Sequence, residues 1–230
     1  MQVANQPDQG TDILRQSLTC RQSTPLTLEP VSTSDTIDIL SRFEIVIVPG
    51  LDDSGPHHWQ SRWEHFLGQQ GVTIHRVIQT NWEQPSYPAW RRGLWHALAV
   101  CRRPTILVAH SLGAVLAARW ASECPMEPVS GAFLVAPADV EQYSGPDAGR
   151  VSDFGPLPAD RLPFPSILVA SRNDEWLTMQ RARAMARQWG STMLDVGQLG
   201  HIGNRSDVGL WPAGLSALAD LARSLSGISA

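Results

Sequence analysis

Residues 105–121 read T-I-L-V-A-H-S-L-G-A-V-L-A-A-R-W-A. The first six form a short apolar run with β-branched residues, the pattern of a strand buried on both faces. From Leu112 onward, small and apolar residues continue without a breaker, in a composition that favours helix. Ser111 therefore falls at a strand-to-helix junction, with Ala109 two residues before it and Gly113 two residues after. This is the setting that a G-x-S-x-G nucleophile elbow requires: the sharp turn lifts Oγ above the sheet edge and crowds the neighbouring backbone, so small flanking residues are needed. Ala109 departs from the first glycine of that pattern. A serine capping a helix N-terminus serves structure alone in many proteins, so the rest of the chain has to decide between the two readings.

Outward from this junction the strand pattern recurs at 44–50 (E-I-V-I-V-P-G), 73–79, 131–137, 166–171 and 192–197. Helical segments fit between or after these runs at 56–69, 88–100, 112–122, 178–189 and 213–225, with Pro56 suited to a first helical turn. Six strands alternating with helices predict an α/β domain with a mostly parallel six-stranded sheet, helices on both faces, and a ligand site at the carboxyl ends of the strands. The connection 138–165 is rich in proline, glycine and aspartate and long for a structureless loop, so it reads either as a lid or as a surface excursion. Residues 1–40 are polar, with apolar residues scattered singly, and read as a flexible N-terminal extension to a domain spanning 41–230.

Composition narrows the function classes. With 230 residues, 43% of them hydrophobic and 17% charged, the chain can bury one sizeable core. A net charge of -4 with dispersed basic residues gives no footprint for nucleic acid. Cys20, Cys101 and Cys124 are odd in number and show no C-x-x-C spacing, which points away from a disulfide framework or a thiolate metal site and towards a reducing, cytoplasmic setting. No apolar run approaches the roughly 18 residues of a membrane span, and no signal-peptide pattern opens the chain. H-E-x-x-H, EF-hand and P-loop motifs are missing from the sequence, so metal or nucleotide chemistry has no support.

A serine hydroxyl becomes a useful nucleophile only when an imidazole removes its proton, and a carboxylate must fix that imidazole's tautomer. In this architecture the chain order is serine, acid, histidine. One histidine follows Ser111, namely His201, just past the last strand run. Asp174, three residues after the run 166–171, is the first candidate acid and Asp139 the second; Asp195 lies within a strand, and Glu175 needs a different loop course. The developing oxyanion calls for backbone N–H donors: Leu112 supplies one, and Leu51 in the loop after the first strand, followed by Asp52, is the best source of the second.

These blocks together carry a resemblance. The stretches V-P-G-L-D-D-S-G-P-H-H-W-Q-S-R-W-E (48–64), N-W-E-Q-P (81–85), A-H-S-L-G (109–113), S-R-N-D (171–174), G-H-I-G-N (200–204) and W-P-A-G (211–214) are similar to the small serine-hydrolase family of the α/β-hydrolase superfamily. That family includes a retinoblastoma-binding protein and compact bacterial YdeN-like hydrolases. The resemblance spans about residues 44–225. It implies an α/β-hydrolase fold without a large cap domain, a triad of Ser111, Asp174 and His201, and no cofactor, and it leaves the substrate open.

Trp59 and Trp63 fall at i, i+4 on one helix face and are read as core. Trp82 and Trp211 lie in loops near strand ends and are candidates for lining a substrate pocket. His57 and His58 are expected to face solvent at a helix start. The expected activity is hydrolysis of small acyl esters or amides. Thioesterase or acyltransferase chemistry would use the same triad. A non-catalytic protein-binding module is the alternative of another class, although the nearest approach to an L-x-C-x-E motif, Leu18 to Gln22, lacks the acid.

Overall fold

The computed structural model describes Met1 and residues 33–125 and 129–227, all but Met1 lying in the unit that spans residues 31–230. Six strands, β1 (Glu44–Val48), β2 (Thr73–Arg76), β3 (Thr105–His110), β4 (Val129–Val135), β5 (Ser166–Ala170) and β6 (Thr192–Asp195), form one sheet in the order β2-β1-β3-β4-β5-β6. Every pairing is parallel. The helices are α1 (Thr33–Leu40), α2 (Trp59–Gln69), α3 (Tyr87–Ala99), α4 (Leu112–Glu123), α5 (Ala148–Val151), α6 (Met179–Trp189) and α7 (Pro212–Leu225). The chain moves outward from β1 to β2 and then returns to β3, so strand order reverses between β1 and β3. In a parallel sheet that reversal opens a crevice at the carboxyl ends of the two strands.

The four central strands, β1, β3, β4 and β5, are buried on both faces, and their residues alternate between two apolar layers, while the edge strands β2 and β6 are partly exposed. Val46 and Val48 of β1 join a layer with Trp90 of α3, Leu116 of α4 and Met185 of α6. Ile45 and Ile47 point the other way, into a layer with Leu40, Trp59, Trp63 and Leu218 from α1, α2 and α7. No helix among the described residues is long and apolar enough to cross a membrane.

Three expectations need correction. The domain does not begin at residue 41: residues 33–40, assigned to the extension, form α1, and Ile39 and Leu40 are buried against the rest of the domain. Residues 2–32 lie outside the described residues. Helix α2 begins at Trp59, three residues later than Pro56 suggested, because His58 turns inward and its Nδ1 accepts the N–H of Gln60 at 3.1 Å as the cap. His58 is therefore buried rather than solvent-facing, whereas His57 is exposed as expected.

The connection 138–165 is not structureless. It carries α5 and a 3₁₀ turn, Ser152–Phe154, and Phe154 is fully buried with its ring 5.8 Å from Tyr87 and 5.3 Å from Trp90. Arg119 of α4 clamps it by donating to the carbonyls of Asp153 and Gly155, with its guanidinium over the Tyr87 ring. Aspartates of this segment serve as clips: Asp153 accepts the Tyr87 N–H, Asp139 is paired with Arg181, and Asp147 shares Arg150 with Asp52.

Candidate active site

Ser111 sits at the head of α4 with φ 54° and ψ -124°, a left-handed backbone that an L-residue adopts only where its surroundings enforce it. The enforcement is visible in two glycines. A Cβ on Gly113 would collide with the carbonyl oxygens of Val48 and Pro49, and one on Gly50 would lie 2.8 Å from the Ser111 Cβ. The elbow is thus packed directly on the end of β1, across the crevice where strand order reverses. Ala109 is fully buried in the α3/α4 layer, so its methyl has a place that a glycine would leave empty.

His201 Nε2 lies 2.7 Å from Ser111 Oγ, and its Nδ1 lies 2.8 and 3.0 Å from the two carboxylate oxygens of Asp174. The Asp174 side chain is fully buried and that of His201 is 14% exposed, so the imidazole is the part of this pair that meets solvent. Ser111, His201 and Asp174 are brought together as the sequence suggested. Asp139 is not among them: it is buried in a two-pronged ion pair with Arg181, at 2.6 and 2.9 Å. Asp195 pairs with Arg172 and accepts the Gly197 N–H, and Glu175 is exposed.

The loop after β1 holds Leu51 and Asp52, the two residues considered for the second backbone donor. Asp52 and Asp53 both have positive φ, and both carboxylates are held by arginines, Asp52 by Arg150 and Asp53 by Arg76. The Asp52 N–H is directed to the Trp82 carbonyl at 3.4 Å, which removes it as an oxyanion donor. Among the described residues the N–H groups of Leu51 and Leu112 have no acceptor. Gln60 secures the floor of the crevice: fully buried, it donates to the carbonyls of Val48 and Val108 and accepts from Ser54 Oγ.

Several residues around His201 were missed or misread in the sequence. Ser171 Oγ accepts the Leu199 N–H and Asn173 Oδ1 accepts the Gly200 N–H, both at 2.8 Å, so the loop after β5 holds the approach to His201. Trp176 stacks on His201 at 5.6 Å and on Tyr143 at 3.7 Å, and both it and Tyr143 line a cleft of about 460 Å³. Its position two residues after Asp174 was the available signal. Trp211 is not a pocket residue: it is 5% exposed, packs against both Trp59 and Trp63, and stands at the N-cap position of α7. The Trp82 ring is half-buried, packs edge-on to Trp90 at 5.3 Å, and lines neither this cleft nor a second one bounded by Asp52, Glu83, Gln84 and Arg150. Trp59 and Trp63 are core residues, as read.

Two further histidines stand behind His201. His110 lies 5.1 Å from its ring and 4.8 Å from that of His58. Burial, reinforced by Arg76 and His201, pushes His58 down to about 3, and burial with the neighbouring His58 and His201 holds His110 well below the usual histidine range. Both are neutral. One group among the described residues, Glu44, His75 and Cys101, brings three metal-ligating atoms within 4.8 Å of one another. It lies at the opposite end of the sheet, and its carboxylate already accepts from the N–H groups of Arg102 and Arg103 and bonds the His75 ring.

A family model described as serine hydrolase matches residues 45–220. The chain belongs to that family. Among solved structures, it is 33% identical to a YdeN-like hydrolase from Pectobacterium atrosepticum, with a TM-score of 0.72 over 84% of this chain and 97% of that one. It is 20% identical to the ydeN gene product of B. subtilis, with a TM-score of 0.64 over 78% of this chain and 98% of that one. Mouse α/β hydrolase domain-containing protein 10 shares the fold at 19% identity, with a TM-score of 0.57 over 77% and 89%. No curated protein sequence matches the chain. The architecture is that of the α/β-hydrolase superfamily, with no large cap domain among the described residues.

Proposed function

We propose that this serine hydrolase cleaves small acyl esters or amides through an acyl-enzyme on Ser111. The observation that carries the reading is the unbroken line from Ser111 Oγ through His201 to the buried Asp174, each link at 3.0 Å or less. Ser111 Oγ attacks the substrate carbonyl while His201 Nε2 takes its proton. Asp174 fixes the ring with a proton on Nδ1 and stabilises the imidazolium that forms. The N–H groups of Leu112 and Leu51 receive the oxyanion. The proton on Nε2 then passes to the departing alcohol or amine, and water, deprotonated by the same nitrogen, releases the acid and restores the serine. No cofactor or metal enters the scheme.

Restriction to small acyl groups is supported by the cleft beside Trp176, to which the 138–165 segment contributes Tyr143, and by the burial of that segment's Phe154 and Phe164 in the core rather than on the wall of a tunnel. A binding module would need neither the strained elbow nor a buried carboxylate behind the histidine. The test is labelling of the full chain with a fluorophosphonate, followed by a screen of acyl esters, amides and thioesters. Wild type should label and turn over, and Ser111→Ala should do neither while melting normally. Labelling of the Ala variant at the wild-type rate would overturn the assignment.

A further inference from the structure

The buried imidazole of His110 has no part in the proton transfers above. It ends β3, and by strand alternation it occupies the same face as Ile106 and Val108, where an apolar side chain would be expected. Its Nε2 lies 2.9 Å from the main-chain carbonyl of His201. A carbonyl only accepts, so Nε2 carries the proton, and burial keeps the ring in this neutral form. The rings of His58 and Trp59 flank it at 4.8 and 6.2 Å, and a Cβ on Gly203 would stand 3.6 Å from its Cε1.

The loop it reaches needs such a tether. His201 is flanked by Gly200 and Ile202, both at positive φ, with Gly203 following. Ser171 and Asn173 hold the residues before His201, and the Trp59 indole N–H holds the carbonyl of Ile202 after it, at 2.9 Å. The bond to residue 201 itself comes from the side chain adjacent to Ser111. The result is a closed ring: Ser111 is peptide-bonded to His110, His110 is hydrogen-bonded to the His201 backbone, and the His201 side chain returns to Ser111 Oγ at 2.7 Å.

We propose that His110 is a positioning residue that fixes the base against the nucleophile through its hydrogen bond to the His201 carbonyl. This rests on the reading of Ser111 and His201 as nucleophile and base. His110→Phe keeps a ring but loses the donor; His110→Gln keeps an N–H at similar reach. With p-nitrophenyl acetate as substrate, the Phe variant should lose about 10- to 100-fold in kcat, the scale of an ångström-sized misplacement. Its KM should stay within about twofold, because the bond orients the base and does not bind substrate. The Gln variant should recover most of the rate. Wild-type kcat in the Phe variant, or a Gln variant as slow as Phe, would overturn the proposal; if Phe is insoluble, His110→Leu replaces it in the same comparison. Ser111→Ala and His201→Ala run alongside. Turnover by either at the wild-type rate would remove the hydrolase reading and this one with it. If both are inactive and His110→Phe is unimpaired, the positioning role alone fails.

Discussion

Asp139 and Asp174 both follow strands at the carboxyl edge of the sheet, and their partners separate them: Arg181 for one, His201 for the other. Asp174→Asn should lower kcat by roughly 10³–10⁴, since an amide favours the wrong imidazole tautomer. Asp139→Asn should leave kcat within a few-fold and lower stability by about 1.5–3 kcal/mol, the worth of a charged hydrogen bond. Steady-state kinetics and urea unfolding on the two variants separate these outcomes. His58 supplies a pH test. Its folded value of about 3 lies below the 6.5 of an unperturbed histidine, so below pH 6.5 the unfolded chain binds a proton that the folded chain refuses. The stability it contributes is full above that pH and is lost as pH falls towards 3, at up to about 1.4 kcal/mol per pH unit. His58→Asn retains a cap acceptor and should show a shallower loss of unfolding free energy between pH 7 and 5 than wild type. Ser111, His201 and Asp174 were legible in the sequence because chain order and strand ends place them. His58, His110 and Trp211 were not, because a residue's position in a loop or strand end does not say which way its side chain turns.

Helix α1 shows why an element can escape a sequence reading. T-S-D-T-I-D-I-L is eight residues long and largely polar, too short to be stable on propensity alone. It exists because Ile39 and Leu40 complete the apolar layer that α2 and α7 build. Leu40→Ala should therefore cost about 2–5 kcal/mol in chemical denaturation, as for other buried leucines, and should do so without altering KM. The central strands, by contrast, were read from their apolar runs, since the middle of a parallel sheet covered on both faces leaves no alternation to confuse. The segment 138–165 lay between these cases. Its prolines and glycines hide buried anchors such as Phe154, whose ring packs on Trp90 of α3.

At the scale of the whole molecule, the proposed preference for small acyl groups rests on how little apolar wall the cleft offers. The cleft beside Trp176 offers one short apolar face, Tyr143, Pro146, Trp176 and Leu177, next to Asp139, Gln142, Glu175 and Thr178. Each methylene of a substrate gains about 0.8 kcal/mol only when an apolar wall receives it. Across p-nitrophenyl esters from acetate to palmitate, kcat/KM should peak at the short end and fall with chain length; a maximum at palmitate would contradict the small-cleft reading. The close approach of Gly113 and Gly50 to the opposite strand end also bears on recombination. Residues 48–50 and 111–113 form a mortise and tenon cut from separate stretches of chain, so the nucleophile turn is not a portable cassette. A chimera whose crossover falls between residues 51 and 110 would inherit the two halves from different parents, and it would close properly only where both parents supply glycine at the joint.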